Sequence, residues 1–122
     1  MKFRLAETYL LLAEAYLRQD MPDKAADAVN EVRCRAKVSD VSDEEMTMDF
    51  LLDERIRELY GEESRRFTLI RTGKLLERVR KYNPEARDLI QDFHVLWPIP
   101  QAIRDANVGN FPQNPGYEGY EG

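Results

Sequence analysis

Apolar residues recur through the first two thirds of the chain at spacings of three and four, the period of one α-helical face. Leu5, Tyr9, Leu12, Ala13, Tyr16 and Leu17 form the first stripe, over roughly residues 3–18, with no Gly or Pro inside it. Asp20-Met21-Pro22 stops this helix, because Pro cannot continue a helix interior yet suits the first turn of the next one. A second helix is predicted from Pro22 to Ala36, with Ala25, Ala28, Val29 and Val32 as its apolar stripe. Asp23 lies in its first turn and Arg33, Arg35 and Lys37 near its end, the order that complements the helix dipole.

Val38 to Asp43 reads as a loop, and Ser42 with Glu45 three residues later fits a capping box. A third helix is predicted from Asp43 to Tyr60, burying Met48, Leu52, Ile56, Leu59 and Tyr60, with Gly61 weakening its end. A fourth helical stretch, Ser64 to Tyr82, carries Phe67, Leu69, Ile70, Leu75, Leu76 and Val79, with Gly73 inside it. Asn83-Pro84 ends the pattern.

Helical periodicity is lost from there on. Every proline except Pro22 lies at or after Pro84. Phe93-His94-Val95-Leu96-Trp97 is a short strand-like apolar run closed by Pro98-Ile99-Pro100, and one or two helical turns fit near Gln101–Asn107. Phe111 to Tyr117 reads as turns on a surface, with poor order expected from Tyr117 onward. The expected fold is therefore all-α. It is one domain over residues 1–122, helical over 3–82 and irregular over 83–122. Ala13, Tyr16, Ala25 and Val29 stand where a tetratricopeptide hairpin places its small, aromatic, small and large apolar positions. One such hairpin cannot bury its apolar face alone, and the two further helices are the available cover.

Composition agrees with this picture. The chain has 122 residues, 43% of them hydrophobic, which is room for one modest core. Its net charge of -5 argues against nucleic acid as a partner, since phosphate binding needs a basic surface. The charge is uneven: residues 65–81 hold 7 basic groups and 1 acidic, a block read as a solvated helix face paired with acidic neighbours. No apolar run approaches the roughly 20 residues that span a bilayer. The charged start Met1-Lys2-Phe3-Arg4 is unlike a signal peptide. The single cysteine, Cys34, excludes an internal disulfide and a multi-thiolate zinc site.

Candidate chemistry is sparse, and no catalytic, cofactor-binding or metal-binding residue emerges. The one histidine, His94, reads as structural. Glu62 and Glu63 are adjacent and so do not face each other as an acid/base pair would. Asp53, Glu54, Arg55, Arg57 and Glu58 mix charges at helical spacing and read as ion pairs. No phosphate loop or paired-histidine metal motif is present. Trp97, Tyr117 and Tyr120 are the residues able to stack on sugar rings, although core packing is the expectation for Trp97 beside its prolines.

Four segments taken in order resemble the carboxy-terminal part of the SusD/RagB family, the surface glycan-binding lipoproteins of Bacteroidetes. Arg4 to Tyr16 looks like the family's tetratricopeptide helix. Leu52-Asp53-Glu54-Arg55-Ile56-Arg57-Glu58-Leu59-Tyr60-Gly61-Glu62 looks like its LDERxRELxxE helix. Arg65-Arg66-Phe67-Thr68-Leu69-Ile70-Arg71-Thr72-Gly73-Lys74-Leu75 is similar to its RRFxLxRTGKL segment. Leu96-Trp97-Pro98-Ile99-Pro100-Gln101 and Gln113-Asn114-Pro115-Gly116-Tyr117 look like its LxPIPQ and terminal QNPGY.

The resemblance implies a binding protein rather than an enzyme, lipidated at the outer membrane, with no cofactor. Its implied partners are an oligosaccharide and a TonB-dependent transporter. Cys34 follows Glu31-Val32-Arg33, which is no lipobox, and the chain is shorter than a full member. A carboxy-terminal fragment is therefore expected, with the ligand-binding residues unknown. The competing reading is a free-standing tetratricopeptide-like adaptor for a protein or peptide. As a fragment the chain is expected to self-associate through Leu5, Tyr9, Leu12 and Tyr16, the apolar set with nothing before it to cover it.

Overall fold

The computed structural model describes residues 4–109 and 111–120 of the chain. The described residues form six α-helices and one 3-10 turn, with no strand, so the all-α expectation holds. The chain divides into two compact units, Met1–Ser64 and Arg65–Gly122.

The first unit holds α1 (Leu5–Leu17), α2 (Pro22–Arg35) and α3 (Met48–Glu58). Asp20 adopts a left-handed φ of 59° and lets the chain reverse, and the Met21 N–H donates to the Tyr16 carbonyl at 3.0 Å. Asp tolerates this region because its short polar side chain can bond locally. Pro22 then opens α2 at its first position, as predicted. Lys37 (φ 56°) ends α2, with the Val38 N–H reaching back to the Arg33 carbonyl at 3.1 Å, a left-handed cap that satisfies a terminal carbonyl.

The face of α1 that is buried is not the stripe of large side chains. Ala6, Leu10, Ala13 and Glu14 are buried, whereas Leu5 and Leu12 are 67% and 41% exposed and Tyr9 and Tyr16 pack half-buried at the edge. The reason is distance. Ala6 and Ala13 belong to one buried cluster with Ala25, Ala26 and Ala28 of α2, and small residues let two backbones approach closely. Leu10, Val29, Val32, Val41, Met46, Leu51 and Leu59 complete this core.

The third helix begins five residues later than predicted. Ser42 and Glu45 do exchange the reciprocal bonds of a capping box, Glu45 N–H to Ser42 Oγ and Ser42 N–H to Glu45 Oε2, both at 3.3 Å, but they close only a turn. Asn30 on α2 pins the preceding loop, its side-chain amide bonding both the N–H and the carbonyl of Val41 at 2.8 and 3.0 Å. Thr47 caps the actual start, accepting from the Phe50 N–H at 3.2 Å. Leu52 and Leu59 are buried as predicted, but Ile56 is exposed and Tyr60 is 85% exposed.

The second unit holds α4 (Arg65–Arg71), α5 (Leu75–Tyr82), the 3-10 turn (Asp92–Val95) and α6 (Gln101–Asp105). The single stretch predicted over Ser64–Tyr82 is two helices, broken at Gly73. Gly73 takes φ 71°, and the Lys74 N–H returns to the Leu69 carbonyl at 2.8 Å. A glycine in this conformation costs no Cβ clash, so it favours a helix end over a helix interior. Asn83 closes α5, its Oδ1 accepting the N–H groups of Glu85 and Ala86 at 3.1 Å each.

Candidate functional site

The irregular last third is built around one clasp. Gln113 is buried, and its side-chain amide bonds both polar groups of the Ile99 backbone: Ile99 N–H to Oε1 at 2.7 Å, and Nε2–H to Ile99 O at 3.0 Å. Asn114 Nδ2 donates to the Trp97 carbonyl at 2.7 Å, and the Tyr117 hydroxyl donates to the Leu96 carbonyl at 2.8 Å. A tail of polar residues thus satisfies the carbonyls of the proline-rich Leu96–Ile99 segment, where prolines prevent regular pairing. Poor order was expected from Tyr117 onward; instead Tyr117 is tied down, and its ring meets Phe93 edge-on at 4.9 Å. Gly116 (φ 86°) makes this approach possible, since a Cβ there would come within 2.3 Å of the Phe93 side chain.

The run predicted as strand-like is the 3-10 turn. His94 stabilises it: its Nδ1 accepts the Gln91 N–H at 2.8 Å, and its own N–H returns to the Gln91 carbonyl at 3.0 Å. This matches the structural role expected of His94. With Nδ1 accepting, the ring nitrogen left to donate is Nε2.

These elements line a cavity of about 460 Å³, open to solvent, within the second unit. Val79, Ala86, Leu89, Ile90, Pro98 and the Trp97 ring give it apolar walls, and Arg66, Asn83, His94 and Tyr117 supply polar groups. Trp97 is 60% exposed, which corrects the expectation that it packs in the core. The guanidinium of Arg66 lies over the Trp97 ring at 4.5 Å, and Arg66 Nη2 donates to the His94 carbonyl at 2.5 Å. Arg66 has no acidic partner among the described residues, and its Nε is enclosed without an acceptor. Tyr120, the third aromatic singled out from the sequence, does not line the cavity. Arg66 and Asn83 were not singled out for it, because their side chains meet Trp97 only after the chain has turned at Gly73, Asn83 and Gln91.

The acidic residues of the first unit serve structure. Glu58 accepts from Arg4 at 2.6 Å and Arg35 at 2.5 Å, and Glu54 from Arg33 at 2.8 Å and Arg57 at 2.6 Å. Glu62 and Glu63 diverge, the first to Arg4 at 2.7 Å and the second to the fully buried Arg55 at 3.1 Å. Hydrogen bonding from Arg4 holds the Glu62 carboxyl below its usual range and pushes the Arg4 guanidinium pKa up. No group of three or more potential metal ligands occurs among the described residues, and none of their helices is long and apolar enough to cross a membrane.

The chain is thus an all-α arrangement in which a helical hairpin is followed by two helices broken at Gly73 and a proline-rich tail clasped by Gln113, Asn114 and Tyr117. The model of the SusD family matches residues 1–117, and the chain belongs to that family. It is 37% identical over 109 aligned positions to a SusD-like protein of Formosa agariphila, covering 80% of this chain and 20% of that one. It is 34% identical over 125 aligned positions to the starch-binding protein SusD of Bacteroides thetaiotaomicron, covering 95% of this chain and 21% of that one. The chain thus spans about a fifth of the length of these relatives. No solved structure matches it significantly.

Proposed function

We propose that the chain is the carboxy-terminal part of a glycan-binding protein that works at the outer membrane beside a TonB-dependent transporter, and that it performs no catalysis. The observation that carries this reading is the family match over residues 1–117, which takes in all four motif segments. The fold supports it. The two adjacent glutamates bond separate arginines, and no aspartate or glutamate lines the Trp97 cavity among the described residues, whereas glycoside hydrolysis uses two carboxyl groups roughly 5–10 Å apart. The cavity beside the exposed Trp97 ring has the apolar and hydrogen-bonding mixture of a small-ligand site.

The test uses the whole protein in outer-membrane fractions. It is expected to retain oligosaccharides on an affinity column, to release no reducing sugar and to co-purify with a transporter barrel. Failure to retain any oligosaccharide, together with purification free of a transporter, overturns the reading.

A further inference from the structure

The polar groups of the Trp97 cavity are unequal in kind. Its acceptors are committed: Asn83 Oδ1 takes two backbone N–H groups and His94 Nδ1 takes a third. Its donors are only partly committed, the Tyr117 hydroxyl to Leu96 and Arg66 Nη2 to His94. Among the described residues no acceptor meets Asn83 Nδ2, His94 Nε2 or Arg66 Nη1, and the Arg66 charge has no carboxylate beside it. No aspartate or glutamate lines the cavity. A cation set against apolar walls without a counter-charge is costly, and an anion that enters relieves that cost. The remaining lining is apolar and carries an exposed aromatic ring, suited to the flat face of a six-membered ring.

We propose that this cavity is a subsite for a carboxylate-bearing ring, namely a hexuronate residue of an acidic glycan, with the carboxylate on Arg66 and the ring against Trp97. This deepens the glycan-binding reading and rests on it. The donors Asn83 Nδ2 and His94 Nε2 take the carboxylate's second oxygen or the ring hydroxyls. All contacting residues come from the second unit.

The experiment is an NMR titration of residues 1–122, repeated with the whole protein, using oligogalacturonate and neutral oligogalactose of equal length. The Trp97 indole N–H is expected to shift saturably with the uronate, at least about tenfold more tightly than with the neutral sugar, the discrimination one charge-assisted hydrogen bond provides. Arg66→Gln should remove that preference. Because Arg66 also holds the His94 carbonyl, two rim variants give an independent reading. Leu89 is 71% exposed, so Leu89→Lys and Leu89→Glu keep the fold and should tighten and weaken uronate binding respectively. Equal affinity for both sugars, or Leu89 variants that shift binding in the same direction, overturns the carboxylate assignment and leaves glycan binding standing. A whole protein that binds uronate with no shift at Trp97 overturns the subsite. A whole protein that binds no glycan overturns the functional reading itself.

Discussion

The side-chain amide of Gln113 bonds the N–H and the carbonyl of Ile99 together, at 2.7 and 3.0 Å, as a neighbouring strand would. Fourteen positions apart, the two residues replace a ladder that the flanking Pro98 and Pro100 forbid. Gln113→Ala leaves both backbone groups of Ile99 without partners in a part-buried place. Such losses cost about 1–3 kcal/mol each at most, so we expect a fall of roughly 2 kcal/mol in the stability of the second unit. Urea unfolding followed by Trp97 fluorescence checks it. An unchanged midpoint would show that water replaces the amide fully.

Gly116 and Gly119 share a left-handed backbone, at φ 86° and 84°, but differ in what an added methyl would meet. At Gly116 it is the Phe93 ring, and at Gly119 the end of the Arg104 side chain, which can swing away. Both alanine variants should lose about 1 kcal/mol to backbone strain. Gly116→Ala should lose at least as much again, because the ring is held between His94 and Tyr117. Comparing the two melting temperatures isolates the clash from the strain.

The Arg4–Glu62 pair gives the first unit an acid-sensitive tie. Hydrogen bonding from Arg4 lowers the Glu62 pKa from its ordinary 4.5. A carboxyl depressed in the folded state adds stability above its unfolded value, and that stability is lost as pH falls through the folded value. The stability gap between wild type and Glu62→Gln should therefore be full at neutral pH and close as pH falls below 4.5 and through the depressed folded value. Both partners are solvent-accessible, so added salt should narrow the gap. A gap that persists at pH 2 would assign the effect to packing.

Leu5 and Leu12 are exposed on α1, while Leu10 on the same helix is fully buried. Leu5→Glu with Leu12→Glu should leave the thermal stability within about 0.5 kcal/mol, as surface substitutions do. Leu10→Ala should cost about 2–5 kcal/mol. We expect residues 1–122 to self-associate through the exposed apolar face and the double glutamate variant to be monomeric by light scattering. A monomeric wild type at high micromolar concentration refutes the association. A double variant that unfolds refutes the exposure of Leu5 and Leu12.

The sequence by itself determined what depends on local chemistry. Helical spacing, the stop at Asp20-Met21-Pro22 and the loss of periodicity at Pro84 are set within a few residues, and all three stand in the structure. The Glu54–Arg57 pair was legible for the same reason, three positions apart on one helix, whereas Glu58 pairs with Arg4 and Arg35 from distant parts of the chain. Tertiary structure decided the rest. Which side of α1 is buried depended on the alanines of α2, so close approach outweighed the larger Leu and Tyr stripe. The capping box at Ser42 closed only a turn because Asn30, eleven residues earlier, had already fixed Val41. Gly73 ended a helix that periodicity alone would have continued. The Trp97 cavity was invisible in the sequence because its walls come from positions 66 to 117, brought together by hydrogen bonds from side chains to backbone rather than by any repeating pattern.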